Sequence, residues 1–99
     1  MNRYECLYVI QPNAEEETVK SLVERFSSLI VQEDGKVENV DEWGKRRLAY
    51  PIDDFKEGYY VLMEFSAASD VPQELERNLK IVDDVIRYLT VRLDDKKAV

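Results

Sequence analysis

The sequence predicts an α+β fold: a four-stranded antiparallel sheet with two helices on one of its faces. Two segments carry apolar residues at helical spacing, four others alternate with a period of two, and they follow in the order strand, helix, strand, strand, helix, strand. The 99 residues, 44% of them hydrophobic, allow one compact domain, placed over 1–93 with a short charged tail over 94–99.

The first strand runs from Tyr4 to Ile10, with Tyr4, Cys6, Tyr8 and Ile10 on one side and Glu5, Leu7 and Val9 on the other. Apolar residues on both sides suit an inner strand. Asn13 followed by Glu16 reads as a capping box, after which Val19, Leu22, Val23, Phe26, Leu29 and Ile30 form one helical stripe. Asp34-Gly35 ends that helix, glycine being free to take the left-handed conformation. From Val37 to Ile52 the period becomes two, with Leu48, Tyr50 and Ile52 set against Arg47 and Ala49; Trp43-Gly44 marks a bulge where the phase changes. Asp53 to Gly58 is the expected turn, and Tyr59, Val61, Met63 and Phe65 are the inward face of the hairpin's second strand. Asp70, Pro72 and Gln73 repeat the helix-start pattern, with Leu75 and Leu79 buried behind it. Asp83-Asp84 stops the helix, and Val85 to Leu93 is the last strand. This order is the split βαββαβ, or ferredoxin-like, arrangement.

Composition narrows the function. Histidine is absent, which removes the commonest general base and metal ligand. The single cysteine, Cys6, lies in an apolar run and reads as a small buried hydrophobe, so no metal site is expected. Asp53-Asp54 and Asp83-Asp84 sit at turn or helix ends without a nucleophile, a base or a glycine-rich phosphate cradle beside them. No catalytic residue, cofactor or small-molecule substrate is therefore expected. No run reaches the ~18 apolar residues of a membrane helix. Charge within Met1–Glu5 argues against an export signal, so a cytoplasmic location is expected.

The net charge of -7 at first argues against nucleic acid. Its distribution reverses that. The two helical segments and their ends carry eleven acidic residues against four basic, which is the whole excess of seven. Everything outside them balances, and there Lys45-Arg46-Arg47 form a cluster.

The run Asp41-Glu42-Trp43-Gly44-Lys45-Arg46-Arg47-Leu48-Ala49-Tyr50-Pro51-Ile52 closely resembles the second-strand signature of the bacterial small-subunit ribosomal protein six family. Arg3-Tyr4-Glu5, Gly58-Tyr59-Tyr60, Glu74-Leu75-Glu76-Arg77 and Val85-Ile86-Arg87 fit the same resemblance, which spans essentially residues 1 to 93 in order and spacing. It implies a structural protein of the small ribosomal subunit that pairs with the small basic ribosomal protein eighteen. Together with that partner it would bind the central domain of 16S ribosomal RNA.

The residues themselves allow that role and leave rivals. Alternation sends Lys45 and Arg47 to one side and Arg46 to the other, so one strand could grip phosphates on two sides; the same cations could simply protect an edge strand from aggregation. Arg3, Arg87 and Arg92 in the outer rows either extend the basic surface or pair with Glu5, Glu64 or Asp94-Asp95. Leu7, Val9, Tyr60, Leu62, Leu89 and Val91 are expected to face away from the helices as a partner-binding patch, unless the last strand has the opposite phase and buries Leu89 and Val91. Glu57 to Glu64 meets the RNP1 pattern only loosely, so base stacking of that type is not expected on the third strand. A protein-interaction or ligand-sensing module of the same topology, without RNA, remains the alternative.

Overall fold

Tyr4, Cys6, Tyr8 and Ile10 alternate onto one face of β1 (Asn2–Ile10), and all four are buried. The computed structural model describes residues 1–93; the tail expected over 94–99 lies outside them. After β1 come α1 (Glu16–Gln32), β2 (Lys36–Ile52), β3 (Phe55–Ala67), α2 (Val71–Ile81) and β4 (Val85–Arg92). The sheet order is β2-β3-β1-β4, every neighbouring pair antiparallel.

One core joins sheet and helices. Val19, Leu22, Phe26 and Ile30 of α1 and Val71, Leu75 and Leu79 of α2 pack on the β1 set and on Val61, Met63, Phe65 and Ala67 of β3. Tyr8 meets Phe26 edge-on at 5.1 Å between centroids, and Tyr4 stacks on Phe65 at 5.5 Å. Each fully buried large side chain stabilises the fold by about 1.5–3 kcal/mol through burial. Both helices use the same sheet face, so the opposite face is left open. The β4 phase follows from its register: Tyr8 lies opposite Tyr88 and Cys6 opposite Thr90, which leaves Leu89 and Val91 exposed on the open side.

Local details at the helix ends and the hairpin turn differ from the sequence reading. Asn13 caps nothing: its N–H donates to Gln11 Oε1 at 2.7 Å in a turn, and Glu15 occupies the cap position with no side-chain hydrogen bond. Asp70 stands at the second cap position, but its helical backbone (φ -89°, ψ -12°) replaces the extended conformation from which a cap side chain reaches the first turn. At the end of α1 the left-handed residue is Asp34 (φ 64°), whereas Gly35 is needed for space, since a Cβ there would lie 2.8 Å from both Ile30 Cγ2 and the Ser66 carbonyl oxygen. The hairpin turn contains only Asp53 and Asp54, both at positive φ, with Ile52 paired to Phe55. Two positive-φ residues give the twist that a two-residue hairpin loop requires, so Lys56, Glu57 and Gly58 belong to β3.

Strand β2 is interrupted three times. After Arg47 pairs with Glu57, the next pair is Ile52 with Phe55, so Leu48, Ala49, Tyr50 and Pro51 oppose Lys56 alone. Pro51, lacking a donor, is suited to such an excursion. Leu48 is buried there while Tyr50 is 64% exposed, so the expected alternation of Leu48, Tyr50 and Ile52 against Arg47 and Ala49 is broken by the bulge.

Replacing the fully buried ring by Phe26→Ala is expected to cost about 3–5 kcal/mol, read as a lower urea midpoint. Burial pushes the Cys6 thiol up to about 11, with the Thr90 hydroxyl opposing and Glu76 adding; burial also raises the Tyr8 phenol. Both groups are acids held protonated by the fold, so the stability Cys6 contributes is complete below the ordinary thiol value of 9.0 and is lost as pH rises toward about 11. Urea midpoints measured across that interval should fall, and Cys6→Ala should make the fall shallower.

Candidate nucleic-acid interface

The register converts the open face into ordered rows. Arg3 lies opposite Ser66, which lies opposite Lys36, at one end. The next row runs Val91, Glu5, Glu64 and Asn39, and the next Leu89, Leu7, Leu62 and Asp41. Arg87, Val9, Tyr60 and Gly44 follow, and then Arg46 opposite Gly58. An apolar band thus crosses the sheet, with an acidic row and Arg3 to one side of it and Arg87 and Arg46 to the other.

Alternation divides the β2 cations between the two faces, and the bulge at Trp43-Gly44 decides which face each one takes. Glu42 pairs with Val61 and Gly44 with Tyr60, so Trp43 is the extra residue, and Gly44 at φ 83° absorbs the bend. Beyond it, Lys45 falls opposite Tyr59 and Arg46 opposite Gly58. Lys45 consequently looks toward α1 and lines a cavity of about 410 Å³ with Ala14, Glu16, Val19, Lys20, Glu42 and Tyr59. There the Tyr59 hydroxyl donates to Glu42 Oε1 at 2.8 Å, and that hydrogen bond to a carboxylate raises the phenol's pKa. Arg47, opposite Glu57, lies on the same side as Lys45 and at the mouth of a second cavity of about 260 Å³ lined by residues of the Leu48–Pro51 bulge and Lys56.

Lys45, Arg46, Arg47 and Arg87 are all exposed, and none of their side chains forms an ion pair or hydrogen bond with another described residue. Their charge is therefore available to an outside anion. Arg3 and Arg92 are also exposed, but they sit near the opposite end of the sheet. The Val9 row lies six residue steps along β1 from the Arg3 row, about 20 Å of extended chain. Arg92 lies opposite Tyr4, on the helix side, and donates to Asn2 Oδ1 at 3.0 Å. The six arginines and lysines singled out by sequence thus occupy two separate places, because strand direction sets their distance and alternation sets their face.

The apolar patch contains one residue that is not accessible. Leu89 is 60% exposed and Val91 36%, while Leu7, Tyr60 and Leu62 are half-buried. Val9 faces the same side yet is 2% exposed. A Cβ on Gly58 would collide with Val9 Cγ1, and Ile86 Cδ1 lies 3.7 Å from that same point. Glycine at 58 leaves the hollow into which Val9 packs, so Val9 supports the patch from beneath. Ile86 reaches it because β4 bulges there: Val85 pairs with Ile10 and Arg87 with Val9, leaving Ile86 unopposed. The sequence reading missed Ile86, whose place depends on that irregularity, and weighed Trp43 only for base stacking, which it did not expect. The indole is exposed, lies 6.1 Å from the Tyr60 ring at 10° inclination, and has the Arg46 guanidinium carbon 5.6 Å from its centroid.

No group of three or more acidic, cysteine or histidine side chains among the described residues could hold a metal ion, and no helix among them is long and apolar enough to cross a membrane. The acidic residues instead cover the helical side, where Glu15, Glu16, Glu17, Glu24, Glu33, Asp34, Asp70 and Asp83 are exposed.

Comparison with known proteins gives one consistent result. The family model described as ribosomal protein S6 matches residues 3–92. The small ribosomal subunit protein bS6 of Alkaliphilus oremlandii is 55% identical over 95% of this chain and 99% of its own length. That of Caldanaerobacter subterraneus is also 55% identical, over 96% of this chain and its whole length. Among solved structures, the crystal structure of 30S ribosomal protein S6 from Thermotoga maritima superposes with a TM-score of 0.91 at 35% identity, covering 98% of this chain and 92% of that one.

Proposed function

This chain belongs to the ribosomal protein S6 family, and from that premise we propose that it binds the central domain of 16S ribosomal RNA together with the small basic ribosomal protein eighteen. At the coarser level it is a structural component of the small ribosomal subunit, and hence cytoplasmic, and it is not an enzyme. The finer reading rests chiefly on one observation. Lys45, Arg46, Arg47 and Arg87 are exposed and form no ion pair with another described residue, at the end of the sheet beside the apolar band.

A division of labour follows from those two surfaces. Arginine offers paired donors in a rigid fork that matches a phosphate, and Lys45 and Arg47 lie across the β2 edge from Arg46, so one strand can meet phosphates on both sides. Leu7, Tyr60, Leu62, Leu89 and Val91 form the surface suited to a protein, with Val9 beneath it. The net charge of -7, exposed mainly on the helical side, attracts a basic partner and weakens RNA binding by this chain alone. Arg3 and Arg92, at the far end, belong to this reading only where the RNA extends along the sheet.

The isolated protein should therefore bind a central-domain transcript weakly and gain affinity when protein eighteen is added; equal affinity with and without the partner would sink the shared interface. Arg46→Ala combined with Arg47→Ala should reduce the slope of log affinity against log salt by about 2, near one per lost phosphate contact. Leu89→Asp should leave folding intact and remove co-purification with protein eighteen.

A further inference from the structure

Trp43 and Arg46 stand three residues apart, so strict alternation would put them on opposite faces of β2. The extra residue at Trp43 and the positive φ of Gly44 bring them together instead. The indole is fixed at two points: its Nε1 donates to Asp41 Oδ2 at 3.0 Å, and its ring is stacked on Tyr60 of the neighbouring strand. The guanidinium carbon of Arg46 then lies over the ring, 5.6 Å from its centroid. Bulges commonly re-aim a side chain in this way.

The chemistry of that contact is specific. A guanidinium held over an aromatic ring is attracted through its face and keeps its N–H donors free. Arg46 spends none of them on another described residue. Ordering a free arginine side chain costs affinity when it binds, and a side chain already held loses less. We propose that Trp43 is a positioning residue for Arg46, holding the guanidinium so that its N–H donors meet a phosphodiester group of the bound RNA. This rests on the RNA-binding role of Arg46 stated above.

The test uses the protein with protein eighteen and a central-domain transcript of 16S ribosomal RNA, and measures affinity over a range of salt. Arg46→Ala should weaken binding roughly tenfold or more, as for a lost charge-assisted hydrogen bond, and lower the salt slope by about 0.9. Trp43→Ala should weaken binding about two- to fivefold, the size of an exposed cation–π contact, with the slope unchanged because the phosphate pair still forms. Trp43→Phe should restore most of the loss. In the Arg46→Ala background, Trp43→Ala should have no further effect. Trp43 is the only tryptophan, so Arg46→Ala should also alter the emission of the free protein, which a distant structural role would not. Additive losses in the double variant would mean that the indole touches RNA or partner directly, and would overturn the proposal. If Arg46→Ala weakens binding and Trp43→Ala does not, the positioning role alone fails. No effect of Arg46→Ala on affinity or slope would refute the phosphate role of Arg46 itself.

Discussion

The packing of both helices on a single face of the sheet constrains everything else in this molecule. Tyr8, Ile10, Phe65, Phe26 and Leu75 are buried in one continuous core, and each belongs to an element that cannot shift register without expelling its apolar set. Once Tyr4, Cys6, Tyr8 and Ile10 are directed toward the helices, Glu5, Leu7 and Val9 must point the other way. The open face is thus a consequence of the core, and its apolar band is the inner strand's second side left uncovered.

Irregularities in the strands then adapt that face. Gly58 gives up its side chain so that Val9 can pack, and the β4 bulge adds Ile86 beside it. The bulge at Trp43-Gly44 turns Lys45 toward the helices and Arg46 toward the open face, and so lets an indole and a guanidinium meet on the same side. In β2 the three interruptions are concentrated in the edge strand, where ladder bonds on one side only are lost. A central strand would lose pairing on both sides for the same bend.

Charge is segregated by the same architecture. The acidic residues of α1, α2 and their ends lie on the helical side of the sheet, whereas Glu5, Glu64 and Asp41 lie in rows of the open face apart from that of Arg46. At physiological salt the range of an exposed charge is about 8 Å, so the acidic flank is largely screened from a phosphate at Arg46. A chain of net charge -7 can therefore present a local cationic strip.

Sequence by itself determined the element order, the two helical stripes, the inward faces of β1 and β3, the bulge at Trp43-Gly44 and the division of Lys45 and Arg47 from Arg46. These are readable because side-chain period follows directly from local backbone geometry. The first helix starts after Glu15 instead of Asn13, and Asp70 holds its cap position without a side-chain bond, because residue type signals a cap while the backbone conformation decides whether its side chain can reach. Only the tertiary structure decided that Val9 is sealed, that Ile86 joins the open face and that Arg3 and Arg92 lie far from Arg46. Those facts depend on register between distant segments and on bulges. A period of two in one strand carries no information about which residue of another strand lies beside it.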